Sequence, residues 1–148
     1  MSASQTGGCL CGAVRFELAE APTEYGACHC TMCRKFSGGI ELGLHVPPGG
    51  VTWTGEENIG RYQSSEWAER GFCKICGSSL FWHLTAPGPM QGMFSLSAGA
   101  LDSFDGLEFA TEVYIDMKPA SHAFAGNRKR MTEAEVMEMV NAGPEGQA

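Results

Sequence analysis

Cys73-Lys74-Ile75-Cys76-Gly77 is a two-cysteine turn closed by a glycine, and Cys9-Leu10-Cys11-Gly12 repeats the design near the start of the chain. A tight metal-binding turn aims backbone N–H groups at the sulfurs. It often needs a positive φ after the last ligand, which glycine adopts without strain. Two such turns facing each other offer four sulfurs in a tetrahedral set, the donor set of a closed structural zinc site. A metal held by Cys9, Cys11, Cys73 and Cys76 would staple the first strand to the middle of the chain. The competing reading is a group of buried thiols without metal.

Between them lies Cys28-His29-Cys30-Thr31-Met32-Cys33, which completes the 7 cysteines of the chain. It offers three sulfurs from one short segment, and no glycine closes it. Structural zinc sites take four protein ligands, whereas reactive ones keep a position open. Arg34 and Lys35 follow directly and would favour ionised thiols. The sharper reading is an open three-ligand zinc site at Cys28, Cys30 and Cys33. A fourth protein ligand from elsewhere and a redox-sensing thiol cluster are the alternatives. His29, were the segment extended, would point away from its neighbouring cysteines. His45, His83 and His122 are further candidates for a fourth ligand or a proton relay, although a lone histidine is more often structural. Seven cysteines dividing as four and three imply two zinc ions per chain.

The rest of the composition bounds the setting. The chain has 148 residues, 43% of them apolar and 18% charged, which suits a folded domain with one core rather than a disordered chain. Ten Lys and Arg stand against 17 Asp and Glu, for a net charge of −7. An acidic chain is a poor match for nucleic acid or for an anionic membrane surface. Arg128-Lys129-Arg130 is the one basic cluster, and it reads as a solvated linker. No run approaches the roughly 20 apolar residues of a membrane span. MSASQTGG has no basic start and no apolar stretch, so no signal peptide is expected. An odd number of cysteines without an export signal argues against a disulfide framework and for a cytoplasmic protein.

Short strands dominate the pattern. Val14, Phe16 and Leu18 alternate with Ala13, Arg15 and Glu17. Similar runs cover 40–46, 51–54, 58–63, 79–84, 92–101 and 108–116. Pro47-Pro48-Gly49-Gly50, Pro87-Gly88-Pro89 and Asp105-Gly106 punctuate them as turns. The spacing predicts a mainly β domain over residues 7–142. Residues 1–6 and 143–148 are expected to be flexible ends. One helix is predicted near the C-terminus, where Thr132-Glu133-Ala134-Glu135 fits a capping box and Val136, Met139 and Val140 share a face.

Three stretches carry a resemblance: Gly8-Cys9-Leu10-Cys11-Gly12-Ala13-Val14-Arg15-Phe16, Cys28-His29-Cys30-Thr31-Met32-Cys33-Arg34-Lys35, and Arg70-Gly71-Phe72-Cys73-Lys74-Ile75-Cys76-Gly77-Ser78-Ser79-Leu80-Phe81. In this order the chain resembles the glutathione-dependent formaldehyde-activating enzyme family, also called centromere protein V-like, from about Gly7 to Pro119. The resemblance implies a β-tent fold of small antiparallel sheets around zinc. It implies a structural zinc on Cys9, Cys11, Cys73 and Cys76, and a second, more labile zinc on Cys28, Cys30 and Cys33. It also implies the joining of glutathione to formaldehyde as S-(hydroxymethyl)glutathione, with a carbon–sulfur lyase as the reverse. Many members carry a histidine near the start of the last strand, where this chain reads Thr111-Glu112-Val113-Tyr114.

The expected partners are therefore a glutathione-like thiol and a small aldehyde. A coordinated thiol is deprotonated, which makes it a nucleophile toward an aldehyde carbon. The rival reading is a non-catalytic zinc protein that binds or carries glutathione or docks a protein partner. It shares every metal ligand, so turnover alone separates the two.

Overall fold

The computed structural model describes residues 5–141. Residues 1–4 and the expected C-terminal tail, 143–148, fall outside the described residues. In chain order the first strands are β1 (Thr6–Gly8), β2 (Arg15–Leu18) and β3 (Glu24–Cys28), followed by helix α1 (Thr31–Ser37). Then come β4 (Glu41–Val46), β5 (Val51–Thr54), β6 (Ile59–Gln63), β7 (Ala68–Cys73), β8 (Ser79–Leu84) and β9 (Phe94–Ser97). β10 (Glu108–Val113), β11 (Lys129–Met131) and helix α2 (Glu133–Asn141) close the order. The fold is mostly β, as the pattern of short alternating runs requires. The chain divides into two compact units: one takes the chain up to Thr23 together with Gly43–Leu107, the other takes Glu24–Leu42 and everything from Glu108 on.

The first unit is antiparallel throughout. β1, β2 and β5 form a three-stranded sheet. A second run of strands goes β4, β9, β8, β7, β6. The inward set of the alternating residues, Val14, Phe16, Leu18, Leu44, Leu80, Phe81 and Leu96, is buried. Each such side chain is worth about 1.5–3 kcal/mol when removed from water. Aromatic rings lock the centre: Phe16 lies 5.5 Å from Trp53, Trp53 5.4 Å from Phe81, and Phe81 5.0 Å from Phe94. Gly71 is opposite Phe81 in the β7–β8 pair, and a Cβ there would come within 2.1 Å of the ring. The bare glycine is what lets the phenyl lie across the strand.

The second unit departs from the expected pairing. β10 runs parallel to both of its neighbours, β3 and β11. Parallel pairing needs a crossover rather than a hairpin, and residues 114–128 supply it between β10 and β11. Helix α1 was not foreseen by the period of apolar residues, because none of its residues is buried. Its start is set by Cys30, whose sulfur accepts from the Cys33 N–H at 3.3 Å, and its end by Gly38 in the left-handed region. Helix α2 begins as expected. The Glu135 N–H donates to the Thr132 hydroxyl at 3.3 Å, and the Thr132 N–H donates to the Glu135 carboxylate at 3.0 Å. Val136 is buried beneath it, but Val140 is 46% exposed, so the expected apolar face is narrower than the spacing implied. Among the described residues no helix is long and apolar enough to cross a membrane.

Candidate metal centres

The first centre is built by two strand ends. β1 delivers the chain to Cys9, and β7 ends on Cys73. The sulfurs of Cys9, Cys11, Cys73 and Cys76 all lie within 4.8 Å of one another. Cys9 and Cys11 are 3.6 Å apart at sulfur, and Cys11 and Cys73 are 3.9 Å apart. A tetrahedron with zinc–sulfur arms of about 2.3 Å has edges of about 3.8 Å, so the donor set fits that ion. Gly12 and Gly77 sit at φ 82° and 80°, the left-handed values that the turns require. Backbone N–H groups point at sulfur as expected, from Val14 to Cys9 and from Ile75 to Cys73, each at 3.3 Å. The Leu10 N–H donates to the Ser78 hydroxyl at 3.0 Å and ties one turn to the other.

The electrostatics of this set are those of thiols waiting for a counter-charge. Hydrogen bonds from the hydroxyl and then the backbone of Ser78 pull Cys76 down to about 5. Cys11 goes the other way: the Ala13 backbone lowers it, but burial and the sulfurs of Cys9, Cys76 and Cys73 push it up to about 11. Four sulfurs this close do not all ionise unless a cation shares the site.

The second centre lies wholly in one segment. Cys28 ends β3, Cys30 caps α1 and Cys33 lies in its first turn. Their sulfurs also fall within 4.8 Å of one another, and all three residues are half-buried. Cys28 titrates far above the ordinary thiol range, chiefly through hydrogen bonding with Cys30 and Cys33, with burial adding to it. Among the described residues no histidine or carboxylate joins either sulfur cluster.

The four histidines all have other places. His29 turns away from the sulfurs and is buried, with Nε2 at 2.7 Å from Glu112 Oε1. Its Nδ1 is buried without a hydrogen-bond partner. His83 bonds Glu69 through Nδ1 at 2.9 Å. His45 is held below its usual value by burial. His122 lines a cavity of about 90 Å³ together with His29, Arg34, Gly39, Ile40 and Pro119.

Sequence reasoning missed Glu112 and misplaced the basic cluster. Arg128 and Arg130 do not solvate a linker. Arg128 Nη1 lies 2.7 Å and Arg130 Nε 2.9 Å from Glu112 Oε2, and Lys129 between them belongs to β11. Arg128 also lies over the Phe109 ring at 4.0 Å. Glu112 therefore faces three nitrogen donors at once, and the strand carrying it runs beside Cys28. The one available signal was a glutamate in an alternating strand together with two arginines later in the chain, which does not reveal burial.

A family model for the glutathione-dependent formaldehyde-activating enzyme matches residues 4–117. The chain belongs to this family. Both cysteine clusters fall within the matched region. An uncharacterized lyase of Schizosaccharomyces pombe is 29% identical over 134 residues, covering 90% of this chain and 95% of the relative. A putative glutathione-dependent formaldehyde-activating enzyme of Halomonas elongata is 34% identical over 83 residues, which span 51% of this chain and 53% of that protein. The fold is shared with a crystal structure of a Rhodobacter sphaeroides protein, with a TM-score of 0.52 at 23% identity over 65% of this chain and 86% of that one.

Proposed function

We propose that the protein is a zinc-dependent carbon–sulfur lyase or synthase that joins a glutathione-like thiol to a small aldehyde such as formaldehyde. Cys9, Cys11, Cys73 and Cys76 would hold a structural zinc, and Cys28, Cys30 and Cys33 a reactive one, for two ions per chain. The observation that carries this reading is the second cluster: three sulfurs within 4.8 Å of one another and no fourth protein ligand among the described residues. A bound zinc supplies positive charge that favours the ionised form of an incoming thiol.

The chain's own residues supply the frame. Cys28 is fixed by the β3–β10 pair, where Val113 is its partner. The Cys33 N–H bonded to the Cys30 sulfur holds those two at the spacing of one helical turn. An ionised carboxylate only accepts, so His29 donates from Nε2 to Glu112, and the turn between Cys28 and Cys30 is pinned from beneath. A thiol sulfur then adds to the aldehyde carbon to give a hemithioacetal, a reaction that already runs unaided.

The test is the rate of disappearance of formaldehyde with glutathione present, compared with the spontaneous rate. A rate above background that vanishes in Cys30→Ser supports the enzyme. Thiol binding without any excess rate favours a protein that carries glutathione.

A further inference from the structure

His29 Nδ1 is buried without a hydrogen-bond partner among the described residues, in a side chain that is 1% exposed. Buried polar side-chain atoms are nearly always hydrogen-bonded, so this one calls for a partner from outside the chain. The other edge of the ring is accounted for: Nε2 lies 2.7 Å from Glu112 Oε1. A neutral ring that donates from Nε2 presents a lone pair at Nδ1, so that edge accepts.

His29 lines the cavity of about 90 Å³, together with Arg34, Gly39, Ile40, Pro119 and His122. All six residues belong to the second unit. Glu112 does not line the cavity, so the Nε2 edge of the ring faces away from it and the Nδ1 edge faces in. None of the three cysteines lines it either, which puts it behind the Cys28–Cys30 turn, on the side away from the sulfurs. The chain itself holds the walls. Gly38, in the left-handed region, donates its N–H to the Arg34 carbonyl at 2.9 Å and turns Gly39 and Ile40 back beside that residue. Opposite them, Lys118 Nζ donates to the Pro119 carbonyl at 2.9 Å and also to the His122 carbonyl. His29 is buried while Arg34 and His122 are exposed, so the cavity runs from a closed floor to an open rim. Among the described residues no carboxylate pairs with the Arg34 guanidinium.

We propose that this cavity binds a small hydroxy-carboxylate, at a site separate from both sulfur clusters. The inference goes beyond the thiol–aldehyde reading and does not depend on it. The volume is that of about three waters, at roughly 30 Å³ each, which admits a ligand of only a few heavy atoms. The floor needs a donor. A carboxylate by itself has only acceptors and would set its lone pairs against Nδ1, whereas a hydroxyl supplies the missing hydrogen. The rim needs negative charge, because the planar fork of Arg34 matches the two oxygens of a carboxylate. Gly39, Ile40 and Pro119 give the carbon between these groups an apolar wall. Glycolate is the smallest acid that carries both groups.

The zinc-loaded parent, Arg34→Gln and His29→Gln would be titrated with glycolate, acetate and glycolamide, followed by NMR shifts of the amides and of the histidine ring nitrogens. The parent should bind glycolate about tenfold more tightly than acetate, the worth of one net hydrogen bond, and glycolate should move the Nδ1 resonance of His29. A glutamine at 29 can still donate to Glu112 but puts no acceptor where Nδ1 was. His29→Gln should therefore bind glycolate and acetate equally. Arg34→Gln should lose about fivefold for both acids and leave glycolamide unchanged. Ethanethiol, which has no carboxylate, should leave the affinity for glycolate as it was; loss of glycolate binding in its presence would put the acid on the metal and overturn the proposal. A parent that binds glycolate no better than acetate, or binds neither, has a cavity that only water fills, and the proposal fails. It fails equally if the preference survives in His29→Gln. Should His29→Gln not fold, Arg34→Gln and the three ligands on the parent still decide.

Discussion

His29 and Glu112 meet at 2.7 Å with both side chains 1% exposed, and the same carboxylate takes Arg128 and Arg130 on its other oxygen. Removing that single negative charge would leave two guanidinium groups and an imidazole facing a neutral amide, with one acceptor oxygen in place of two. Breaking a buried pair from one side costs about 3–5 kcal/mol. Glu112→Gln should therefore melt roughly 10 °C lower than the parent, at about 2–4 °C per kcal/mol for a chain of this size. A scanning calorimetry trace with unchanged Tm would show that the charge is not what holds this network.

The two cysteine clusters should separate on mutation. A structural zinc can contribute about 10 kcal/mol or more to a small domain, comparable to the whole stability of a folded chain. Cys76→Ser should be insoluble or unfolded. Cys33→Ser should stay folded with one zinc per chain and no activity. Elemental analysis and circular dichroism of the two variants read this directly; a Cys76→Ser protein that melts like the parent contradicts the division of four ligands and three.

Glutathione should bind far more tightly than S-methylglutathione. The thioether keeps every peptide contact but has no ionised form. Since a free thiol has a pKa near 8.5, binding as thiolate should release about one proton near neutral pH. Calorimetry in two buffers of different ionisation enthalpy measures that proton. Equal affinity for the two ligands would mean that sulfur makes no contact with the metal.

Glu69 sets an acid limit in the other unit. Burial raises its pKa, but His83 and Arg61 outweigh this and hold the carboxylate below its usual value of 4.5. A folded pKa below the unfolded one means that the unfolded chain binds the extra proton as the pH falls. The contribution is thus fully present above about pH 4.5 and is lost as pH drops through the lower folded value. Urea titrations of the parent and of Glu69→Gln should differ by about 1 kcal/mol at pH 7. The gap should close as the pH falls from 4.5 through that lower value. Acid loss of metal is common to both proteins and cancels in the difference, so a gap independent of pH would refute the assignment.

What could be read from the sequence was whatever chemistry writes at fixed spacing. The outer cysteine turns had to end in Gly12 and Gly77, and the alternation in β2, β5 and β8 is local. The parallel pairing of β10 was not legible, since Cys28 and Val113 lie far apart in the chain and nothing in either strand names its partner. Helix α1 is too short to show an apolar period, and its cap is a cysteine rather than the usual serine or aspartate. Glu112 has the look of an outward-facing strand residue. Only its pairing with Arg130 across β10 and β11, and with His29 from a distant turn, turns that position inward.

The two clusters also differ in the length of chain each must close. Cys28, Cys30 and Cys33 span less than two turns of backbone, whereas Cys11 must wait for Cys73. Closing the longer loop carries the larger entropic cost, and the residues concerned leave the ribosome at different times. During synthesis the three-sulfur cluster is complete while half of the four-sulfur one has yet to be translated. On the proposed two-zinc reading the three-sulfur site would load first and the four-sulfur site last, so metal scarcity during synthesis would act on folding through the later site.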